Sequence, residues 1–224
     1  MESSKQPQRG VVKRAENKAK RLATIIQHAS ELVAKNGANT FTLLALAKQA
    51  NVTVPTIHNL VGKKSDVFSA IVSTMETKTS AVLMHLNLTD PISVIEDLVD
   101  GLITLYSGNE SLYKAAFAIG ESEQLFEHEI PTALYDKSLA IAHSVCKNAA
   151  HTGLLLGNIN ADLMAKLLFA NQRLVRRDWM HGYISLATYK RELLSAIYVT
   201  LAADASTQLH AVLIAKIKTL QTNY

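Results

Sequence analysis

Apolar residues recur at helical spacing along almost the whole chain. The clearest case lies between Glu16 and Asn36, and Gly37 is well placed to end that helix. Its recurring apolar residues are Leu22, Ile25, Ile26, Ala29, Leu32 and Val33. Strand-like alternation is absent, and glycine and proline are sparse. The pattern predicts an all-α protein.

Capping residues and breaks divide the pattern into further helices. Thr42 can cap a short helix that runs to about Ala50, and Thr53 can cap another with Pro55 in its first turn. Helical segments are then predicted over 65–88, 91–108, 110–120, 122–129, 131–150, 160–181 and 185–203. A loop separates two of them at 153–158. The sequence leaves open whether 204–221 is a separate helix or a continuation.

The three N-terminal helices, with a tight turn at Asn51-Val52, predict a helix-turn-helix, in which the second helix of the pair enters the DNA major groove. The apolar residues that would pack the pair together are Leu43, Leu46, Ala47, Val52 and Ile57. The residues left facing outward are Thr53, Val54, Thr56, His58 and Asn59. Hydroxyl, amide and imidazole groups suit phosphate oxygens and base edges.

Charge is distributed unevenly along the chain. The first 68 residues contain eleven Lys/Arg and four Asp/Glu, a net charge of +7, whereas the whole chain carries +4 and the remainder therefore −3. A basic end joined to a mildly acidic body indicates that the first third meets a polyanion. The alternative is a solvated basic tail with no partner.

Composition excludes several other classes of protein. No apolar run reaches the ~18 residues of a membrane span, and the basic N-terminus has no apolar segment of a signal peptide. Because Cys146 is the one cysteine, no internal disulfide can form. We therefore expect a soluble, cytoplasmic protein with no membrane partner.

The sequence contains no pattern that predicts catalysis. No metalloprotease motif, phosphate loop or nucleophile elbow occurs, so we expect neither an enzyme nor a cofactor. His143, Cys146 and His151 share a helix face that could hold a metal ion. Histidine in a helical bundle is far more often structural, and no metal site is predicted.

Residues 20–68 resemble the DNA-binding domain of the TetR (tetracycline-repressor) family of bacterial transcription regulators. The matching positions, in register and without a gap, are Gly37, Thr42, Leu46-Ala47, Ala50-Asn51-Val52-Thr53, Pro55-Thr56-Ile57-His58, Val61 and Lys64. Four of these residues depart from the family pattern. Asn51 replaces a turn glycine, Pro55 another glycine, His58 a phosphate-binding tyrosine and Val61 a phenylalanine.

The resemblance implies a role for each matched polar position. Thr42 would present its hydroxyl and the amides of its helix to a phosphate, and Thr53, Thr56, His58 and Lys64 would bind phosphates as well. Val54, Pro55 and Asn59 would face the bases. Lys63 would bind phosphate or remain a solvated lysine. The basic arm would follow the DNA backbone, enter the minor groove or remain disordered.

The resemblance also implies a division of the chain into a flexible basic arm (1–15), a helix-turn-helix domain (16–64) and a larger helical ligand-binding and dimerisation domain (65–224). Residues 160–203 resemble the family's dimerising helix pair. The predicted homodimer interface is Leu163, Leu167, Leu174, Leu193, Ile197 and Leu201. For each of these the alternative is the intrachain core.

The helical body mixes large apolar residues with a few polar-tipped ones, which suits a mainly apolar ligand oriented by one or two hydrogen bonds. The predicted ligand-binding residues are Leu102, Leu105, Tyr106, Tyr113, Phe117, His143, Met164, Leu168, Asn171 and Trp179. We therefore expect a repressor that a small-molecule effector releases from a palindromic operator in duplex DNA. The alternative is a helical small-molecule carrier or sensor without sequence-specific DNA binding.

Overall fold

The computed structural model describes residues 9–83, 90–126 and 134–222. These residues form ten helices: α1 Arg9–Asn36, α2 Leu43–Gln49, α3 Val54–Leu60, α4 Lys64–Leu83, α5 Pro91–Ser107, α6 Glu110–Ser122, α7 Leu134–His151, α8 Ala161–Met180, α9 Leu186–Ala202 and α10 Thr207–Gln221. The β pairing within these ranges is one antiparallel bridge between Leu155 and Ala205. The predicted all-α fold is confirmed.

The chain divides into two compact units, and the division falls inside α4. The first unit contains the described residues up to Thr74 together with Ser111–Glu123, and the second contains the described residues of Met75–Glu110 and those from Gln124 onward. The first unit is therefore larger than the predicted domain at 16–64, because it takes in ten further residues of α4 and nearly all of α6.

The core of the first unit forms where α1 packs against α2 and α3. Its buried side chains include Val33 of α1, Leu46 of α2 and Ile57 of α3. Phe41 and Phe68 bring their rings to a centroid distance of 5.3 Å and join the start of α2 to α4. Three helices thus share one apolar centre, which neither α2 nor α3, at seven residues each, could form alone.

The second unit is built around α8 and α9, which pack against each other. α7 lies against α8, α10 lies against α9, and α5 contacts both α7 and α9. Tyr106, Trp179 and Tyr189 form a fully buried aromatic cluster in which the Tyr106 and Trp179 rings stack at 5.2 Å. The Trp179 indole donates a hydrogen bond to Oε1 of Glu110 at 3.0 Å, so its polar group is satisfied in the core.

Residues 186–221 form two helices. α9 ends at Ala202, and Ser206 caps α10 by accepting a hydrogen bond from the amide of Leu209. Between them lies Asp204, a buried carboxylate that accepts hydrogen bonds from the amides of Gly157 and Asn158 at 2.9 and 3.0 Å. The backbone around Asp204 pairs with the same loop, since its carbonyl accepts from the Leu156 amide at 2.7 Å and the Ser206 amide donates to the carbonyl of Leu154 at 2.8 Å.

The structure also differs from the sequence prediction at the N-terminus. Residues 9–15, which the prediction placed in a flexible arm, are helical and belong to α1. The rest of that arm, the end of the predicted 65–88 helix and residues 127–129 and 131–133 of two other predicted helices lie outside the described residues. No helix of the described part is long and apolar enough to cross a membrane.

Candidate nucleic-acid interface

The turn between α2 and α3 has the backbone that a helix-turn-helix requires. Asn51 adopts a left-handed conformation with φ +50°, which asparagine tolerates better than most residues. The Val52 amide then donates to the carbonyl of Ala47 at 3.0 Å and closes the turn. Leu46 and Ile57, both fully buried, lock the two helices together. The asparagine that replaces the usual glycine therefore serves the same purpose.

Thr53 and Thr56 form a pair in the first turn of α3. The Thr53 hydroxyl caps the helix by accepting from the Thr56 amide at 3.3 Å, and the two hydroxyl oxygens lie 2.8 Å apart. One hydroxyl donates to the other, and the second keeps its hydrogen for an external acceptor. The pair is therefore held in place and can still donate to a phosphate oxygen.

The outward face of α3 carries the polar groups that the sequence predicted. Pro55, His58 and Asn59 are exposed, and Val54 and Thr56 are half-buried. Neither the His58 imidazole nor the Asn59 amide bonds to another residue of the described part, so both can reach a ligand. Thr42 is exposed as well, and its oxygen caps α2 by accepting from the Ala45 amide at 3.1 Å.

The two lysines at the start of α4 differ in their surroundings. Lys64 donates to the carbonyl of Ala38 at 3.4 Å, and its ammonium group lies 5.1 Å from the Phe68 ring centre. Lys63 is exposed, and its contacts are made by the backbone: its amide donates to the carboxylate of Asp66 at 2.8 Å, and its carbonyl accepts from the amides of Asp66 and Val67. Lys64 thus has a structural role that the sequence did not reveal.

Gly62, just before these lysines, is required by the hydrogen bond that the Asp66 carboxylate accepts from the Lys63 amide. Its φ is +126°, and a Cβ there would lie 2.2 Å from Oδ2 of Asp66. Spacing alone does not reveal this requirement, because the close approach depends on how the Asp66 side chain folds back on the turn.

The sequence missed a second contact, one that braces α2. Gln49 donates to Oε2 of Glu31 at 3.0 Å, and the same oxygen lies 3.2 Å from Nδ1 of His28. The hydrogen bonds from His28 and then Gln27 lower the pKa of Glu31. A charged carboxylate on α1 therefore holds the C-terminal end of α2.

The predicted ligand-binding residues belong to both units. Tyr113 and Phe117 are buried on α6 in the first unit, and the other eight lie in the second. Tyr106 and Trp179 belong to the buried aromatic cluster, and we assign both to the core. The amide of Asn171 donates to the Thr200 hydroxyl at 3.0 Å.

The remaining predicted ligand-binding residues also face the interior, with two exceptions. Leu102, Met164 and Leu168 are buried, whereas Leu105 is half-buried. His143 lines an open groove of about 260 Å³ in the second unit. The other residues along this groove are Asp136, Leu139, Ala140, Asp162, Ala165 and Lys166. Its volume is slightly below the ~300 Å³ typical of the smallest drug-sized pockets.

The alternative of a metal face on α7 receives no support. His143 bonds through Nε2 to Oδ1 of Asp162 at 2.8 Å, and Cys146 is fully buried. Burial raises the pKa of the Cys146 thiol to about 11, which disfavours the thiolate that a metal needs. Within the described residues, no group of three histidine, cysteine or acidic side chains is placed to hold a metal ion.

The six predicted interface residues separate into two groups. Leu163, Leu167 and Leu174 of α8 are exposed, with 61 % of Leu174 accessible, and they lie on one face of the helix. Leu193, Ile197 and Leu201 of α9 are buried against their own chain, so the prediction is wrong for these three. Val199, 58 % exposed, is the large apolar residue that α9 presents to solvent instead.

A helix-turn-helix unit followed by a larger all-helical unit is the architecture of the TetR family, and comparison with solved structures shows the same fold. CprB, a TetR family protein from S. coelicolor A3(2), has a TM-score of 0.66 at 17 % identity over 92 % of this chain and 100 % of its own. A γ-butyrolactone receptor (ArpA-like protein) gives 0.65 at 17 % identity, over 92 % and 98 %.

SmeT, the repressor of the Stenotrophomonas maltophilia multidrug efflux pump SmeDEF, gives a TM-score of 0.65 at 19 % identity, over 84 % of this chain and 92 % of SmeT. No protein-family model matches the chain, and no curated protein is similar to it in sequence. The chain therefore has a TetR-type fold at low sequence identity.

Proposed function

We propose that this protein is a DNA-binding transcriptional regulator that responds to a small molecule. The observation that carries the proposal is α3, which buries Ile57 against α2 and turns Thr53, Thr56, His58 and Asn59 outward. A helix of this size fits the major groove, and these side chains suit phosphates and base edges. The net charge of +7 over the first 68 residues favours a polyanionic partner.

The proposal gives a role to each exposed polar residue of α3 and its neighbours. Thr42 and the Thr53–Thr56 pair would donate to phosphate oxygens, together with His58 and Lys63. Asn59 would read a base edge through its amide, and Val54 and Pro55 would make apolar contacts with bases. Lys64 would bind phosphate from a position already fixed by Ala38 and Phe68.

A homodimer is part of this proposal. One seven-residue recognition helix reads only a few base pairs, whereas two related by a two-fold axis specify a palindrome. The exposed apolar residues Leu163, Leu167 and Leu174 of α8, with Val199 of α9, supply an apolar surface on the second unit. Four helices, two from each chain, would meet there.

The effector would bind in the second unit. Thr79 of α4 is buried, and its hydroxyl has no hydrogen-bond partner among the described residues. A ligand acceptor at this position would satisfy it. SmeT has been solved in complex with triclosan, and two of the similar structures are γ-butyrolactone receptors, which supports a mainly apolar effector.

Coupling between the effector and DNA would run along α4. This helix begins at Lys64, within the DNA-binding unit, and Thr79 lies in its C-terminal half. A ligand that binds two positions of α4 unequally would change DNA affinity, and 1–3 kcal/mol is a typical coupling. Release from the operator, and hence repression, is the outcome we propose.

Selection of bound sequences from a random duplex pool tests the function directly. We expect enrichment of a palindrome, bound at least ~10³-fold more tightly than random DNA. Absence of any enriched sequence would favour the carrier or sensor without sequence-specific binding. A thermal-shift screen followed by operator release then tests the effector, and hits that stabilise the protein without changing operator affinity would contradict the coupling.

A further inference from the structure

The first half of α1 projects beyond the core of its unit. From Val12 to Thr24 every side chain is exposed except that of Leu22, which is half-buried, and Ile25 is the first fully buried residue. At a rise of about 1.5 Å per residue, the helix extends roughly 20 Å from Leu22 back to Arg9. This segment contributes almost nothing to the core, and its exposure needs another explanation.

Basic side chains occupy one half of the projecting helix. At about 100° per residue, Lys13, Arg14, Lys18, Lys20 and Arg21 all fall within one half of the circumference. Glu16, the acidic residue of this stretch, falls outside that half. None of the five basic side chains forms an ion pair with a described residue, so their charge is directed at solvent or at a partner. We call these five residues the basic face of α1.

The helical conformation has a local cause. Residues 12–24 are rich in alanine, lysine and arginine, which are strong helix formers, and contain neither glycine nor proline. The packed half of α1 supplies the nucleus, so each further turn costs only propagation. The basic face is therefore displayed on a rod that is continuous with the core of the DNA-binding unit.

We propose that the basic face of α1 binds the phosphate backbone of duplex DNA outside the base pairs that α3 reads. This inference rests on the proposed function, because it extends the same interface. A helix with its side chains is ~10–12 Å wide and the minor groove is only about 6 Å wide, so the segment from Arg9 onward does not enter that groove. Its lysines act as point charges on phosphates and add affinity that does not depend on sequence.

The other half of the helix argues against an anionic membrane as the partner. Its described side chains are Val12, Ala15, Ala19 and Leu22, together with Glu16 and Ala23. Helices that lie in a membrane interface present Trp, Phe or Leu on their apolar face, and this one presents mainly alanine and valine. Duplex DNA is the partner that the charge pattern favours.

The test uses two triple variants of the full-length protein with the same change in charge. One is Lys13→Gln, Lys18→Gln and Lys20→Gln in the basic face. The control is Lys147→Gln, Lys166→Gln and Lys218→Gln, three exposed lysines of the second unit. Both are titrated against a mixed-sequence 40-bp duplex and, where selection yields one, a duplex containing the selected site, at several salt concentrations.

We expect the basic-face variant to bind both duplexes roughly tenfold or more weakly and to keep the ratio between them. Its salt slope should fall by about 0.9 for each lysine that binds phosphate. The control should bind like the wild type. Equal binding by both variants would overturn the proposal. The mixed-sequence duplex gives this result even if no specific site exists, so the two proposals can fail separately.

A second variant tests the helix itself. Ala15→Pro keeps every charge but breaks the helix within the projecting segment, while the packed residues from Ile25 onward remain intact. We expect the wild type to gain affinity when a duplex is lengthened from about 20 to 40 bp and Ala15→Pro to lose most of that gain without a change in melting temperature. Full retention of the gain would show that a rigid helix is not needed.

The basic-face triple variant also distinguishes DNA from a membrane. If it lost binding to phosphatidylserine vesicles while its DNA binding stayed unchanged, the basic face would be assigned to a membrane.

Discussion

The ammonium group of Lys64 lies 3.4 Å from the carbonyl oxygen of Ala38 and 5.1 Å from the ring centre of Phe68. One side chain therefore joins the loop after α1 to the start of α4. An ammonium group has three donors, so Lys64 can hold this position and still bind a phosphate. Its neighbour Lys63 has no comparable contact through its side chain.

These surroundings predict different results for the two lysines. Lys64→Ala should weaken binding to all DNA sequences, reduce the salt slope by about one unit and lower the free energy of unfolding by about 0.5–1 kcal/mol. Lys63→Ala should weaken DNA binding and reduce the salt slope, but it should leave the free energy of unfolding unchanged. Thermal unfolding and DNA titration of both variants separate these effects. A Lys64→Ala protein that is less stable but keeps its salt slope would show that Lys64 does not bind phosphate.

Asn59 should determine sequence preference, because its exposed amide can pair with a base edge. Asn59→Ala should relax the preference at one position of each half-site, at a cost of about 1–3 kcal/mol on the selected sequence. His58→Ala, a change on the same face of α3, should weaken binding to all sequences alike. Titration against single-base variants of the selected duplex measures both. Equal loss across every sequence for Asn59→Ala would mean that it reads no base.

The apolar residues of α8 and α9 predict two different outcomes of substitution. The double variant Leu167→Arg and Leu174→Arg should be a folded monomer with weak operator binding, because both side chains are exposed in one chain. Leu193→Ala should instead lose about 2–5 kcal/mol of stability, since Leu193 is buried. Sedimentation and thermal unfolding distinguish them. A wild-type protein that is monomeric at micromolar concentration, with and without DNA, would contradict the dimer.

The buried hydroxyl of Thr79 provides a test of the effector site. Thr79→Val removes a polar group that has no partner among the described residues, so the protein should become more stable, by about 1 kcal/mol. Compounds from the thermal-shift screen should bind this variant more weakly. Thr74→Val is the control, because that hydroxyl is exposed and bonds to the carbonyl of Ala70. Unchanged affinity for every compound would exclude Thr79 from the site.

Because of Tyr198, we expect the free energy of unfolding to fall at alkaline pH. Burial, and then its hydrogen bond to the Glu96 carboxylate, raise the pKa of Tyr198 above 10.0. Between pH 10 and the raised value the unfolded chain releases this proton and the folded chain keeps it. Stability is therefore complete below pH 10 and declines above it, by at most about 1.4 kcal/mol per pH unit for one tyrosine.

Urea unfolding between pH 8 and 11 measures this effect. Tyr198→Phe should lose less stability over that range than the wild type. Part of the decline should remain in this variant, because burial also raises the pKa values of Tyr113 and Tyr189. Tyr183→Phe, a change at a tyrosine that is 77 % exposed, should follow the wild type. Identical pH profiles for Tyr198→Phe and the wild type would contradict the assignment.

The sequence by itself determined the helices and the helix-turn-helix, because these depend on neighbours within a few positions. Thr42 and Thr53 cap helices as predicted, and Gly37 ends α1 with φ +78°. Asn51 takes the left-handed turn. The sequence also predicted which face of α3 points outward, because one buried residue, Ile57, fixes the orientation of so short a helix.

Tertiary structure decided which apolar residues are core and which are surface. Leu174 and Leu193 belong to the same predicted interface and have the same side chain, yet one is exposed and the other buried. Periodicity identifies the apolar side of a helix, but α8 and α9 each have neighbours on more than one side, and only packing shows which side remains open. For the same reason Tyr106 and Trp179, polar-tipped residues that suited a pocket, are stacked in the core, because their partners come from helices far apart in sequence.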